Sequence, residues 1–81
     1  MRVNVRLFAR LRDIVGSAEI PFDATPGATL VDVWHALVRE YPALAPYTTA
    51  ISAARNADYA PLTTALAEGD EVAFLPPVSG G

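Results

Sequence analysis

Very few side chains in this sequence carry reactive chemistry, and their spacing brings none of them together. There is one histidine, His35, and no cysteine, which excludes thiolate nucleophiles, disulfides and cysteine-based metal sites. Ser17, Ser52 and Ser79 have no histidine base near them in the predicted elements, so no nucleophilic triad can be assembled. Neither a glycine-rich phosphate loop nor a cluster with metal-ligand spacing is present. Asp70 and Glu71 follow the turn glycine Gly69 and read as a polar turn, or at most as a contact for a basic partner. The one chemically unusual group is the carboxylate of Gly81, which closes the stretch Pro76-Pro77-Val78-Ser79-Gly80-Gly81. Proline cannot donate to a strand ladder, so Pro76 and Pro77 end the apolar run before them. Gly80 and Gly81 bring no side chain and much backbone freedom. An exposed tail over residues 76–81 therefore suits insertion into a narrow pocket of another protein. The other reading of such a stretch is a frayed terminus.

Composition narrows the setting of this tail. Eighty-one residues, 52% hydrophobic and 19% charged, make one globular domain, expected over residues 1–75. The net charge of −3 and the lack of a basic patch argue against a nucleic-acid partner. No apolar stretch reaches transmembrane length, and the alternating start Met1-Arg2-Val3-Asn4-Val5-Arg6 is not a signal peptide, so a soluble cytoplasmic protein is expected. All six basic residues are arginine. Codon bias explains that usage, and within residues 1–81 it leaves no ε-amine for an activated carboxylate to acylate.

The elements that must hold the tail can be read in order. Arg2 to Phe8 alternates, with Val3, Val5 and Leu7 on one face and Arg2, Asn4, Arg6 and Phe8 on the other, which predicts a half-buried strand. Ala9 to Val15 has helical spacing and stops at Gly16. Ala18 to Phe22 alternates again and reads as an edge strand because of Pro21. Thr29 is a good helix N-cap with Asp32 three residues on, and Leu30, Val33, Trp34, Leu37, Val38 and Tyr41 make the clearest apolar stripe in the chain. Pro42 ends that helix; His35 and Arg39 fall opposite the stripe, on its wet face, and Ala43 to Thr49 reads as loop. Ile51 to Arg55 is a weak strand before the polar turn Asn56-Ala57-Asp58. Tyr59 to Leu62 reads as a short edge strand, Leu62 to Leu66 as a possible helical turn, and Glu71 to Leu75 as the last strand. The order is α+β. With the two most apolar strands, first and last, parallel at the centre of a mixed sheet and one main helix on one face, the expected fold is a ubiquitin-like β-grasp ending in a flexible Gly-Gly tail.

The ending Gly69-Asp70-Glu71-Val72-Ala73-Phe74-Leu75-Pro76-Pro77-Val78-Ser79-Gly80-Gly81 closely resembles that of the sulfur-carrier small subunits of molybdopterin synthases. The start, Val5-Arg6-Leu7-Phe8-Ala9-Arg10-Leu11-Arg12-Asp13-Ile14-Val15-Gly16, is similar to that family as well, and the likeness departs from it at Tyr59 to Ala67. The resemblance implies a carrier that binds no cofactor and is not an enzyme on its own. An adenylating enzyme would use ATP to activate Gly81, and sulfur delivery would convert it to a thiocarboxylate. The large synthase subunit, expected as a heterotetramer with two carriers, would receive the tail and pass the sulfur to a cyclic pyranopterin. Carriers for thiamine-thiazole or cysteine synthesis, and ubiquitin-like protein modifiers, share the Gly-Gly and remain alternatives.

Strand parity extends this reading to a docking surface. If Val3, Val5, Leu7, Val72 and Phe74 face the helix, then Phe8, Ala73 and Leu75 face away from it. Phe8 and Leu75 are thus expected to anchor the large subunit, beside Pro76, Pro77, Val78, Ser79 and Gly80 of the tail. The competing expectation is that the segment around Tyr59 folds over them.

Overall fold

The computed structural model describes residues 1–77, and the expectations for Val78, Ser79, Gly80 and Gly81 lie outside the described residues. The elements are β1 (Arg2–Leu7), α1 (Ala9–Val15), β2 (Glu19–Asp23), α2 (Leu30–Glu40), a 3₁₀ segment (Pro42–Tyr47), β3 (Ser52–Arg55), β4 (Asp58–Tyr59) and β5 (Glu71–Leu75). The strands form one sheet in the order β2-β1-β5-β3-β4. β1 and β5 run parallel at its centre, with Val5 beside Val72 and Leu7 beside Phe74, as expected for a β-grasp. β2 is an edge strand, and Pro21 sits opposite Asn4 without breaking the β1 ladder. This works because Leu7 and Ala24 bond across to Ala18 and Met1, which makes odd β1 residues the bonded positions and turns the missing donor of Pro21 outward.

The interior follows from the two periodicities. Val3, Val5, Leu7, Val72 and Phe74 of the central strands meet Leu30, Val33, Trp34 and Leu37 of α2, all at most 2% exposed. Trp34 packs edge-on against Phe74 with ring centroids 5.2 Å apart, and its indole N–H donates to the Thr48 hydroxyl at 3.0 Å. Tyr41, expected in this core, is the half-buried C-cap of α2. Leu11 of α1, Leu44 and Leu66 complete the interior from outside the main stripe. The start of α2 is a full capping box: the Asp32 N–H donates to the Thr29 hydroxyl, and the Thr29 N–H donates to the Asp32 carboxylate.

Two local expectations are corrected. Ala43 to Thr49 is not plain loop, since a 3₁₀ segment starts at Pro42 with Leu44 buried beneath it. Proline at the first helical position costs no hydrogen bond, so Pro42 ends α2 and also begins the next turn. Leu62 to Leu66 holds a single hydrogen-bonded turn, closed by the Thr64 N–H on the Pro61 carbonyl at 3.0 Å, and no helix. It runs past the start of α2, where the Leu30 and Val31 N–H groups donate to the carbonyls of Thr64 and Leu62 at 3.0 and 2.9 Å. The segment therefore satisfies donors that every helix N-terminus leaves unpaired.

Asp70 is the larger correction. It is only 5% exposed, so it is neither a solvated turn residue nor available to a basic partner. Its carboxylate accepts hydrogen bonds from Arg55 Nε at 2.6 Å, Asn56 Nδ2 at 3.0 Å and the Ala67 N–H at 2.7 Å. The Arg55 hydrogen bond is the main cause of a carboxyl pKa lowered to about 2, reinforced by Asn56 and Ala67 and opposed by burial. Because the folded value lies below the unfolded one, the stabilisation is complete above the ordinary carboxylate range and is lost as pH falls from about 4 towards about 2. Replacing Asp70 by Ala should cost about 3 kcal/mol at neutral pH, by stranding donors built around a buried charge. Urea melts of both proteins between pH 7 and pH 2 should converge at the acid end. A gap that stays constant with pH would show that the carboxylate charge is not what stabilises the fold.

A candidate docking face at the root of the tail

Alternation decides which side chains the helices leave uncovered. Val72 and Phe74 point into the core, so Glu71, Ala73 and Leu75 point to the open face of the sheet. On the neighbouring strand Val3, Val5 and Leu7 point in, and Arg2, Asn4 and Arg6 point out. β1 ends at Leu7, one residue earlier than the alternation predicts. Phe8 is instead the N-cap of α1, but its backbone is still extended (φ −124, ψ 153), which keeps the strand parity and leaves the ring 37% exposed. The helix then begins abruptly at Ala9, whose φ of 50 is in the left-handed region.

The rest of the face comes from the β3–β4 hairpin. Asn56 and Ala57 both have positive φ, 51 and 72, the conformation that a tight two-residue hairpin requires. That turn puts Tyr59 opposite Ala54, and Ala54 in turn lies opposite Ala73. Phe8, Tyr59, Leu75, Ala73 and Ala54 thereby line one shallow depression of about 240 Å³, with Arg6 and Glu71 at its charged side. Tyr59 is 76% exposed, so it stands at the rim and does not fold over Phe8 and Leu75. Away from this depression the open face is polar, with Arg2 paired to Asp23 at 2.8 Å and the Asn4 amide donating to Glu19 at 2.8 Å.

The structure brings together two of the residues singled out in the sequence, Phe8 and Leu75, in this depression; Pro76, next along the chain, is half-buried and Pro77 is exposed. Val78, Ser79, Gly80 and Gly81 lie outside the described residues. Tyr59 and Ala54 join this surface although alternation in the first and last strands does not point to them. The available signal was the two-residue spacing of Asn56-Ala57, which sets the hairpin register and hence the face of Tyr59. His35 is exposed on α2, on the opposite side of the sheet. Among the described residues there is no cluster of three or more His, Asp or Glu that could hold a metal ion. No helix among them is long and apolar enough to cross a membrane.

Residues 5–81 match the ThiS family over nearly the whole chain. This chain belongs to the ThiS family. Among curated proteins similar to this ThiS-family chain, small archaeal modifier protein 1 of Haloferax volcanii is 39% identical over 84 residues, covering 94% of this chain and 97% of the relative. The molybdopterin synthase sulfur carrier subunit of Chlamydomonas reinhardtii is 35% identical over 83 residues and both chains are covered in full. Among solved structures, the Haloferax volcanii SAMP1 crystal structure superimposes with a TM-score of 0.84 at 36% identity, with full coverage of both chains. A chain in the protein–protein complex of subunits 1 and 2 of the molybdopterin-converting factor from Helicobacter pylori matches with a TM-score of 0.69 at 28% identity, also with full coverage of both.

Proposed function

We propose that this ThiS-family chain is a sulfur carrier, the non-catalytic small subunit of a molybdopterin synthase, with Gly81 as its working carboxyl terminus. The observation that carries the reading is the position of the open apolar depression. It ends at Leu75, the last residue of β5, which leads directly into the Pro-Pro-Val-Ser-Gly-Gly stretch. A partner seated on Phe8 and Leu75 therefore has its own surface at the root of the tail. The relatives support the same reading, since sulfur carrier subunits align with this chain from end to end.

In this proposal the Gly81 carboxylate attacks the α-phosphorus of ATP on an adenylating enzyme, and pyrophosphate leaves. A sulfide-level sulfur nucleophile then attacks the acyl carbon of the adenylate and expels AMP, which leaves a thiocarboxylate. The tail next enters the large subunit, where the sulfur is transferred to a cyclic pyranopterin and water restores the carboxylate. Glycine at positions 80 and 81 keeps the acyl carbon open to each attack. ATP is consumed by the activating enzyme, and the acid–base groups belong to the partners. Two sulfurs per product dithiolene call for two carriers, which fits a heterotetramer around a dimer of large subunits.

A second reading, a ubiquitin-like protein modifier, is favoured by the 39% identity to the archaeal modifier. The two diverge in where the activated carbonyl goes. Incubated with ATP, an adenylating enzyme and a sulfur source, the carrier should gain about 16 Da, the difference between sulfur and oxygen. It should then lose that mass only when large subunit and cyclic pyranopterin are both present. Lysine-linked conjugates in place of the mass gain would establish the modifier reading and overturn the carrier one.

A further inference from the structure

We infer that Arg6 is a positioning residue for the docking face, holding the ring of Phe8 in place through a tether that begins at the buried Asp70. The inference rests on the docking reading of the open face for its consequence, but not for its geometry. The backbone at Phe8 is well determined: its carbonyl accepts from the N–H groups of Leu11 and Arg12 at 3.1 and 3.4 Å, and Ala9 fixes the exit angle. That settles where Cβ points and leaves the ring rotamer open, because the aromatic side chain lies on an uncovered surface. The Arg6 guanidinium supplies the missing restraint, with its central carbon 5.6 Å from the Phe8 ring centroid. Arg6 is itself held from the other side by the Glu71 carboxylate at 3.6 Å.

Glu71 is an unusually firm post for a half-exposed residue. Its N–H donates to Asn56 Oδ1 at 2.9 Å, and its carbonyl accepts from the Asn56 N–H at 2.8 Å. The Asn56 amide donates in turn to Asp70, inside the network that Arg55 and Ala67 complete. A continuous line of contacts thus runs from Asp70 through Asn56, Glu71 and Arg6 to Phe8. Both members of the Arg6–Glu71 pair are about half exposed, so the pair adds little to folding stability. Its effect is on the conformational freedom of one aromatic side chain, which docking would otherwise have to restrict.

The test has two arms. In the free protein, nuclear Overhauser contacts between the Phe8 ring and the Leu75 methyls should be strong in the wild type, lost in Arg6→Ala and largely restored in Arg6→Lys, with melting temperature unchanged throughout. In calorimetric titration onto a molybdopterin synthase large subunit, Arg6→Ala should bind about two- to fivefold more weakly, the range of an exposed cation–π contact. The same substitution should cost nothing further in a Phe8→Ala background. Ring contacts that survive Arg6→Ala would overturn the inference, as would losses that simply add in the double variant. If even the wild type fails to bind any large subunit, the functional reading fails, while the ring contacts still decide what Arg6 does.

Discussion

A chain that lacks Gly81 is expected to fold normally and never to gain the 16 Da or so of a thiocarboxylate. Folding is spared because, among the described residues, every buried one lies between Val3 and Phe74, and a glycine has no side chain to withdraw from a core. Chemistry is lost even though Gly80 would then present a glycine carboxylate of its own. Removing one residue draws the reacting carbon back by up to about 3.5 Å along an extended chain, whereas a displacement of about 1 Å can already cost a hundredfold in rate. Intact-mass spectrometry after incubation with ATP, adenylating enzyme and sulfur source should show the unmodified chain alone. A truncated chain that is thiocarboxylated at the normal rate would refute the assignment of Gly81 as the acceptor.

The second large effect concerns Phe8 and Leu75. Substituting both with Asp should weaken the complex with the large subunit by about 4 kcal/mol, close to a thousandfold, because each would be an apolar anchor on which a charge has to be buried. The folded state should lose far less, since both residues lie on the face that α2 does not cover, Phe8 at 37% exposure and Leu75 half-buried. Circular dichroism and calorimetric titration of the same preparation separate the two quantities. Unchanged affinity would remove this face from the interface, and outright unfolding would mean that these side chains carry the core after all. As an internal control, His35→Ala on the far side of the sheet should alter neither.

Much of this is legible in the sequence because the decisive features are local or strictly periodic. Alternation in Val3-Asn4-Val5-Arg6-Leu7 assigned faces that the sheet keeps, and Thr29 with Asp32 marked the start of α2. The parallel pairing of the first and last strands of the chain follows from their apolar character and the crossover helix between them. What escaped was non-local. Asp70 looks like any turn aspartate until Arg55 and Asn56 are brought to it by the β3–β5 pairing, and nothing in Glu68-Gly69-Asp70 itself announces burial. Tyr59 likewise depends on a hairpin register set by two residues with left-handed backbone, neither of them glycine. Leu44 and Leu66 lie in segments without periodicity, where hydrophobic patterning has no signal to offer.

The central place of β5 has a consequence for the order in which this molecule comes into being. Until Val72 and Phe74 slot between β1 and β3, the sheet has no middle, and Trp34 has no aromatic partner. Closing that gap joins residues about as distant in the sequence as the chain allows, so it is the step with the largest loop-closure cost in the sheet. During synthesis it is also a late one, since a growing chain must expose residue 74 before any of the core can close. The strand that completes the structure is the one that leads directly into the tail. A chain that stops before β5 therefore has no finished docking face beside whatever carboxylate it ends in. An activating enzyme that grips the folded face would in this way select finished molecules, with no separate checkpoint.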